Sequence, residues 1–241
     1  MTTYLHIDIE TLPALHMSIE QRLAYAYASV PKTYKKPESI AKWVRENTEE
    51  QWRRTSLDPL HGITWMVGVA ANDEDPSVFV GNPEDPAGLL DVFDAYCAGV
   101  YDRSDSVVWV GKSLRRFDLP WLAQHALLYG RCSLARTLLD LLAYPYDKRI
   151  EDVSELWPGG RLSLDPMARW LGVDGKAEGM HGSQVYDAYL RGEVERVACY
   201  CAGDVDSTRN VWKRLTGRMG GAGRRPELSP IPLEVRQHLT D

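Results

Sequence analysis

Alternation of apolar and polar residues at the start of the chain predicts a β-strand. Residues 4–9 read Tyr-Leu-His-Ile-Asp-Ile, and a period of two places the isoleucines and leucine on one face. Apolar runs further along predict more strands, since a covered strand carries few polar side chains. These runs span residues 63–71, 77–80, 107–110 and 134–139.

Helical periodicity fills most of the remaining chain. Residues 18–54 predict two helical pieces broken near Pro31 and Pro37, and their polarity places this insertion over the surface. Further helices are expected over residues 87–100, 118–129, 163–171, 183–191 and 193–215, with another starting within 138–142. This order of elements predicts an α/β domain, a central mixed β-sheet flanked by α-helices.

Glycine and proline mark the expected domain boundary. Residues 1–216 are expected to form one domain with a helical insertion at about 13–60. Residues 217–225 hold four glycines and three arginines, a composition typical of a flexible joint. We therefore expect residues 217–241 to form a flexible tail, either a disordered end or a contact for a protein partner.

Composition narrows the class of protein. With 241 residues and 44% hydrophobic residues the chain can bury a full core, and its net charge of −6 argues against a protein that coats nucleic acid. No apolar stretch approaches the roughly 18 residues of a membrane span, and the N-terminus lacks signal-peptide character, so a cytoplasmic protein without membrane contact is expected. The cysteines show no zinc-ligand spacing and are expected to be reduced and mostly buried: Cys97, Cys132, Cys199 and Cys201.

Five polar residues in three distant segments are candidates for one site. Asp8 and Glu10 lie two apart on a predicted strand and so face the same side. Asp118 follows a strand and a loop, although it is also placed to cap the next helix. Tyr200 and Asp204 lie four apart on one helical face, although a buried tyrosine with an exposed aspartate is the commoner outcome. Converging carboxylates need a cation, and Mg²⁺ or Mn²⁺ prefers such oxygen ligands.

Taken together, these segments resemble the DEDD superfamily of 3′–5′ exonucleases, which has an RNase H-like fold. The three motifs are Asp8-x-Glu10-Thr11, the run 111–120, and Tyr200-x-x-x-Asp204. The third motif matches the tyrosine subtype, because the histidine subtype needs His where this chain has Cys199. Segments 162–165, 171–176 and 182–185 are similar to predicted 3′–5′ exonucleases related to the proofreading domain of family B DNA polymerases.

The resemblance implies hydrolysis of the terminal phosphodiester at a 3′ end with two divalent ions, Mg²⁺ or Mn²⁺, as cofactors. Asp8, Glu10 and Asp204 are expected to bind one ion, and Asp8 with Asp118 the other. Tyr200 is expected to position the attacking water, because a phenol with a pKa of about 10 is a poor base at neutral pH. The product would be a nucleoside 5′-monophosphate.

The resemblance also implies a set of residues that contact the substrate strand. Thr11 is expected to hydrogen-bond the terminal nucleotide and Leu12 to pack on its base, while Lys176 is either a phosphate contact or a solvated lysine. The second motif usually has Gly-His-Asn before Phe-Asp, but here Lys112 and Ser113 take those places. The complete set of expected substrate contacts is Thr11, Leu12, Lys112, Ser113, Phe117 and Lys176.

Single-stranded DNA 3′ ends are the expected partner, in proofreading or DNA repair, with a replication or repair protein as a second candidate partner. The first alternative is an exoribonuclease of the same superfamily, which the motifs do not separate from a DNase. The second alternative is a catalytically silent nucleic-acid-binding module, which clustered acids disfavour. A third, an RNase H-like endonuclease, is disfavoured by the tyrosine–aspartate pair and the Phe-Asp-Leu-Pro segment.

Overall fold

Five strands form one mixed β-sheet. The structure, a computed structural model, describes residues 1–159, 162–173, 180–221 and 223. The sheet has the order β3-β2-β1-β4-β5; β1 pairs antiparallel with β2 and parallel with β4, β2 pairs antiparallel with β3, and β4 pairs parallel with β5. The strands are β1 Thr2–Leu12, β2 Ile63–Ala71, β3 Ser77–Val80, β4 Ser106–Gly111 and β5 Ile150–Asp152. The predicted α/β architecture with a central mixed sheet is confirmed.

Helices flank this sheet on both faces. Within the described residues they are α1 Ile19–Ala28, α2 Pro37–Arg53, α3 Pro86–Asp102, α4 Asp118–Leu128, α5 Cys132–Leu142, α6 Val153–Leu156, α7 Leu164–Leu171, α8 Val185–Leu190 and α9 Val194–Leu215. Two 3₁₀ turns, Arg54–Leu57 and Gly182–Gln184, follow α2 and precede α8.

The strand expected over residues 134–139 is wrong, because this segment lies inside α5. The buried residues Leu134, Leu138 and Leu141 recur at helical spacing, so a helix brings them to the core on one face, whereas a strand would divide them between two. The sheet is completed by β5, which sequence reasoning did not predict.

The two faces of β1 separate the core from the candidate site. Leu5, Ile7 and Ile9 point into a buried cluster that also contains side chains of α3, α4 and α5. The even-numbered positions face the other way, where α9 packs across β1 and β2. The strand period of two therefore puts hydrophobic burial on one face and Asp8 with Glu10 on the other.

The insertion forms a helical hairpin of α1 and α2 that is anchored at its base. Trp52, at the end of α2, is fully buried and donates its indole N–H to the carbonyl of Ala14 over 2.9 Å. The guanidinium of Arg22 lies over the same indole ring, 3.6 Å from its centre, and forms a cation–π contact with it. Most other side chains of the hairpin are exposed or half-buried, in agreement with the predicted surface location.

The cysteines correct one expectation. All four are free thiols, as predicted, but Cys132 and Cys199 are exposed while only Cys97 and Cys201 are buried. Among the described residues, no helix combines the length and apolar character needed to cross a bilayer.

Candidate active site

Asp8 and Glu10 lie side by side on the face of β1 that α9 covers. They pair with Gly68 and Met66 of β2, and the pairing register between β1 and β2 shifts directly after Glu10. Glu10 is buried and Asp8 is half-buried. The strand therefore holds both carboxylates on one face, as the spacing of two predicted.

Asp118 joins this pair because β4 is shorter than β1. The parallel ladder ends at the pair His6 and Val110, so β1 continues beyond it toward Leu12. Asp118 Oδ1 accepts a hydrogen bond from the backbone N–H of Ile9 over 3.2 Å, in the space that β4 has left. This contact places the third carboxylate against the strand segment between Asp8 and Glu10.

The alternative role of Asp118 as a helix cap is wrong. Phe117 occupies the N-cap position of α4, and Asp118 is the first residue inside the helix. Its side chain is buried and directed to β1, the central strand of the sheet, beside Asp8 and Glu10.

A buried acid that sequence reasoning missed holds the loop before α4. Asp152, at the end of β5, accepts hydrogen bonds from the N–H groups of Ser113 over 2.9 Å and Arg115 over 3.2 Å, and from that of Ser154 over 2.9 Å. Ser113 adopts a left-handed conformation with φ of 59°, which is uncommon for a residue with a side chain. Asp152 therefore fixes the turn that delivers Asp118 to β1.

Tyr200 and Asp204 come from α9 and are both buried. This overturns the alternative of a buried tyrosine with an exposed aspartate. The helix approaches the sheet closely because β2 has a glycine at position 68: a Cβ added at Gly68 would lie 2.8 Å from Cys201 Sγ and 3.0 Å from Val205 Cγ2. Tyr200 and Asp204 flank this point of closest approach along the helix.

Gly68→Ala is therefore expected to slow the hydrolysis that the motifs predict while it leaves the chain folded. The added methyl pushes α9 away from β1, and overpacking of this kind costs about 1–3 kcal/mol. Thermal denaturation and hydrolysis rate should be measured together, with Gly99→Ala in α3 as control, since a Cβ there meets only the end of Arg103 at 3.9 Å. Full activity in Gly68→Ala would show that the close approach of α9 is not required.

The charges of several carboxylates act on the same buried part of the molecule. Burial raises the pKa of the Cys201 thiol well above its ordinary value, and the charges of Asp8, Glu10 and Asp204 raise it further. Burial also raises the pKa of Asp118, with the charge of Asp152 adding to the effect and hydrogen bonds from backbone N–H groups opposing it. Several acids near one point without a cation are unfavourable, which is the condition that a metal ion relieves.

Asp8, Glu10 and Cys201 form a group whose possible ligand atoms all lie within 4.8 Å of one another. The thiol does not fit the role of ligand, because its raised pKa keeps it protonated and hard divalent ions prefer oxygen. We interpret Cys201 as a packing residue beside Gly68, and the carboxylates as the donors that fit a divalent ion.

The predicted substrate contacts fall into four groups. Thr11 lies next to Glu10 and donates its hydroxyl to the carbonyl of Ser56 over 2.5 Å. Leu12 is fully buried in the core, so its expected contact with a base is not supported. Lys112, Ser113 and Phe117 line a cavity of about 300 Å³ beside Asp152. Lys176 lies outside the described residues.

The five-stranded mixed sheet with helices on both faces is consistent with an RNase H-like α/β fold. Residues 146–226 match the model of a family described as predicted 3′–5′ exonuclease related to the exonuclease domain of PolB. This match, which includes the third motif, confirms the resemblance to the predicted 3′–5′ exonucleases related to the PolB exonuclease domain and supports a hydrolytic nuclease, while the tyrosine subtype stays a prediction.

A solved structure shares the fold. The family B DNA polymerase from the hyperthermophilic archaeon Pyrobaculum calidifontis is similar with a TM-score of 0.50 and 19% sequence identity, over 89% of this chain and 24% of the polymerase chain. This chain thus spans about a quarter of that polymerase. The comparison with curated proteins found no match.

Proposed function

We propose that this chain is a metal-dependent 3′–5′ exonuclease that hydrolyses single-stranded DNA from its 3′ end and releases nucleoside 5′-monophosphates. The observation that carries the proposal is the convergence of acids from three distant segments, β1, the start of α4 and α9, on one face of the sheet. The matched family and the polymerase fold support the same reaction.

The donor set suits divalent ions. In the proposal Asp8, Glu10 and Asp204 hold one Mg²⁺ or Mn²⁺, and Asp8 with Asp118 holds a second. Bound there, such ions supply activation of a water molecule and stabilisation of charge on the leaving oxygen. Asp118 would be held for this task by the Ile9 N–H, and its loop by Asp152.

Tyr200 is proposed to orient the attacking water through its phenol. The residue is buried on α9 one turn before Asp204, so its hydroxyl and that carboxylate share a helix face. A Cβ built on Gly182 would lie 4.0 Å from Tyr200 Oη, which places the hydroxyl at the edge of the 3₁₀ turn 182–184. The rigid ring thus fixes the direction of one hydrogen bond without needing to lose its proton.

Digestion of end-labelled strands tests the proposal. Single-stranded DNA and RNA carrying a 5′ fluorophore should be incubated with the protein in Mg²⁺, Mn²⁺ or excess chelator. We expect DNA to give a ladder that shortens progressively from the 3′ end, only with metal. Faster digestion of RNA would instead favour the exoribonuclease alternative. Immediate release of a labelled mononucleotide, or digestion that persists in chelator, would contradict the proposed polarity or mechanism.

The biological setting is a further proposal. One similar solved structure is a DNA polymerase, and the matched family is described by its relation to a polymerase exonuclease domain. These likenesses support proofreading or DNA repair with a replication or repair protein as partner, and the cytoplasm is proposed as the location. Coprecipitation of such a protein with the chain from cells would support this setting.

A further inference from the structure

A cavity of about 330 Å³ lies beside the catalytic face, between the base of the helical insertion and α8. Its walls come from the end of α2, the 3₁₀ turn after it, β1 and the turn before α8. The volume is at the lower end of the range of about 300–1,000 Å³ for small-molecule pockets, which suits one unpaired nucleotide better than a base pair.

The cavity adjoins the proposed catalytic residues at two places. Thr11, directly after Glu10 on β1, forms part of one wall. Gly182 forms part of another, and a Cβ built on it would lie 4.0 Å from Tyr200 Oη. A strand bound in this cavity would therefore continue directly onto the acidic face.

The walls are held together by polar contacts. Arg53 at the end of α2 donates to Asp187 of α8 over 2.7 Å and lies 4.9 Å from the ring centre of Tyr186. On the opposite side, the hydroxyl of Thr11 bonds the carbonyl of Ser56. The cavity is therefore built before any ligand arrives, with a guanidinium already set against an aromatic ring. Such rings and guanidinium planes are the surfaces on which unpaired bases stack.

A second arginine on the cavity wall, Arg54, can bind a phosphate because its present ion pair is weak. Arg53 is engaged by Asp187 and Glu49, whereas Arg54 has an exposed ion pair with Glu50 at 3.7 Å. Exposed pairs of this kind contribute little to stability, so Arg54 can exchange Glu50 for a phosphate at little cost. Glu50 also lines the cavity, and it repels a strand once Arg54 is removed.

We propose that this cavity is a binding subsite for one nucleotide of the single strand, whose base contacts Tyr186 and Arg53 and whose phosphate contacts Arg54. The helical insertion thereby acts as a strand-holding element. This inference rests on the proposed function, since it assumes that the acidic face acts on a nucleic-acid strand.

Arg54→Ala tests the phosphate contact, with Lys42→Ala as a matched control. Lys42 lies on α2, the helix that Arg54 directly follows, is outside the cavity, and has an equivalent exposed pair with Glu46 at 3.8 Å. Both variants should be made in an Asp118→Ala background, and binding of a fluorescent single-stranded oligonucleotide should be followed by anisotropy at several salt concentrations. We expect Arg54→Ala to weaken binding about tenfold and to reduce the salt slope by about 0.7, the value for one phosphate contact on a single strand.

Tyr186 tests the base contact independently. Tyr186→Phe keeps the ring and should bind normally, while Tyr186→Ala should weaken single-strand binding by about 5- to 150-fold, the range for a lost stacked base. Circular dichroism shows whether Tyr186→Ala is folded, and Arg54→Ala, which changes an exposed residue, decides the matter if it is not.

The outcomes separate this inference from the proposed function. If the parent protein digests 3′ ends with metal but Arg54→Ala and Lys42→Ala bind strands equally, the subsite is wrong and the exonuclease proposal stands. If the parent digests nothing yet Arg54→Ala alone loses strand binding, the subsite stands and the catalytic proposal fails.

Discussion

Asp118→Asn is expected to abolish metal-dependent hydrolysis and, at pH 8 in chelator, to make the protein more stable. The amide keeps the oxygen that accepts from the Ile9 N–H, so the local structure is preserved. It removes the negative charge, which is both a proposed metal ligand and an unfavourable buried group.

The gain in stability should depend on pH in a defined direction. Burial, followed by the nearby charge of Asp152, raises the pKa of Asp118 to about 7 in the folded chain, against 3.8 for the free side chain. A carboxyl whose folded pKa is raised gives stability that is fully present below pH 3.8 and is lost as the pH rises through about 7. The amide cannot lose a proton, so its advantage is absent near pH 4 and reaches about 1–4 kcal/mol at pH 8.

Hydrolysis of labelled DNA and denaturation between pH 4 and pH 8 measure the two effects. Asp75→Asn is the control, because Asp75 is an exposed aspartate in the turn between β2 and β3. Normal hydrolysis by Asp118→Asn would remove Asp118 from the site. A stability gain that does not vary with pH would show that the buried charge is not its cause.

Tyr200→Phe is expected to slow hydrolysis about 100-fold while leaving strand binding nearly unchanged. The phenylalanine fills the same buried volume on α9 but lacks the hydroxyl proposed to orient water, and misplacement of a reacting group can cost about 10²-fold in rate. Tyr146→Phe is the control: Tyr146 is exposed, so this variant should hydrolyse DNA at the rate of the parent protein. Single-turnover rates and anisotropy separate the chemical step from binding, and an unchanged rate would exclude Tyr200 from the reaction.

The sequence was most informative where local pattern and tertiary position agree. The alternation in β1 predicted both the strand and the shared face of Asp8 and Glu10, because a period of two has one structural consequence. The helical spacing of Tyr200 and Asp204 was equally direct. Their burial was not predictable from spacing, since it depends on Gly68 in another strand.

Features that depend on contacts between distant segments could not be predicted from local sequence patterns. Residues 134–139 are apolar enough for a strand, and only their packing on the core shows that they belong to a helix. Asp152 ends a strand of three residues, too short to show a period, so its role in holding Ser113 was invisible. The cavity beside Thr11 joins β1, α2 and α8, which no local pattern connects.

Acids from β1, α4 and α9 are proposed to form one metal-dependent catalytic centre. Anomalous diffraction from crystals soaked in Mn²⁺ tests it most directly. We expect manganese peaks bonded to the carboxylates of Asp8 and Glu10, with Asp118 and Asp204 contributing, and loss of peak height in Asp118→Asn. Manganese bound only elsewhere, or absent from these carboxylates at saturating concentration, would show that they do not form a metal centre.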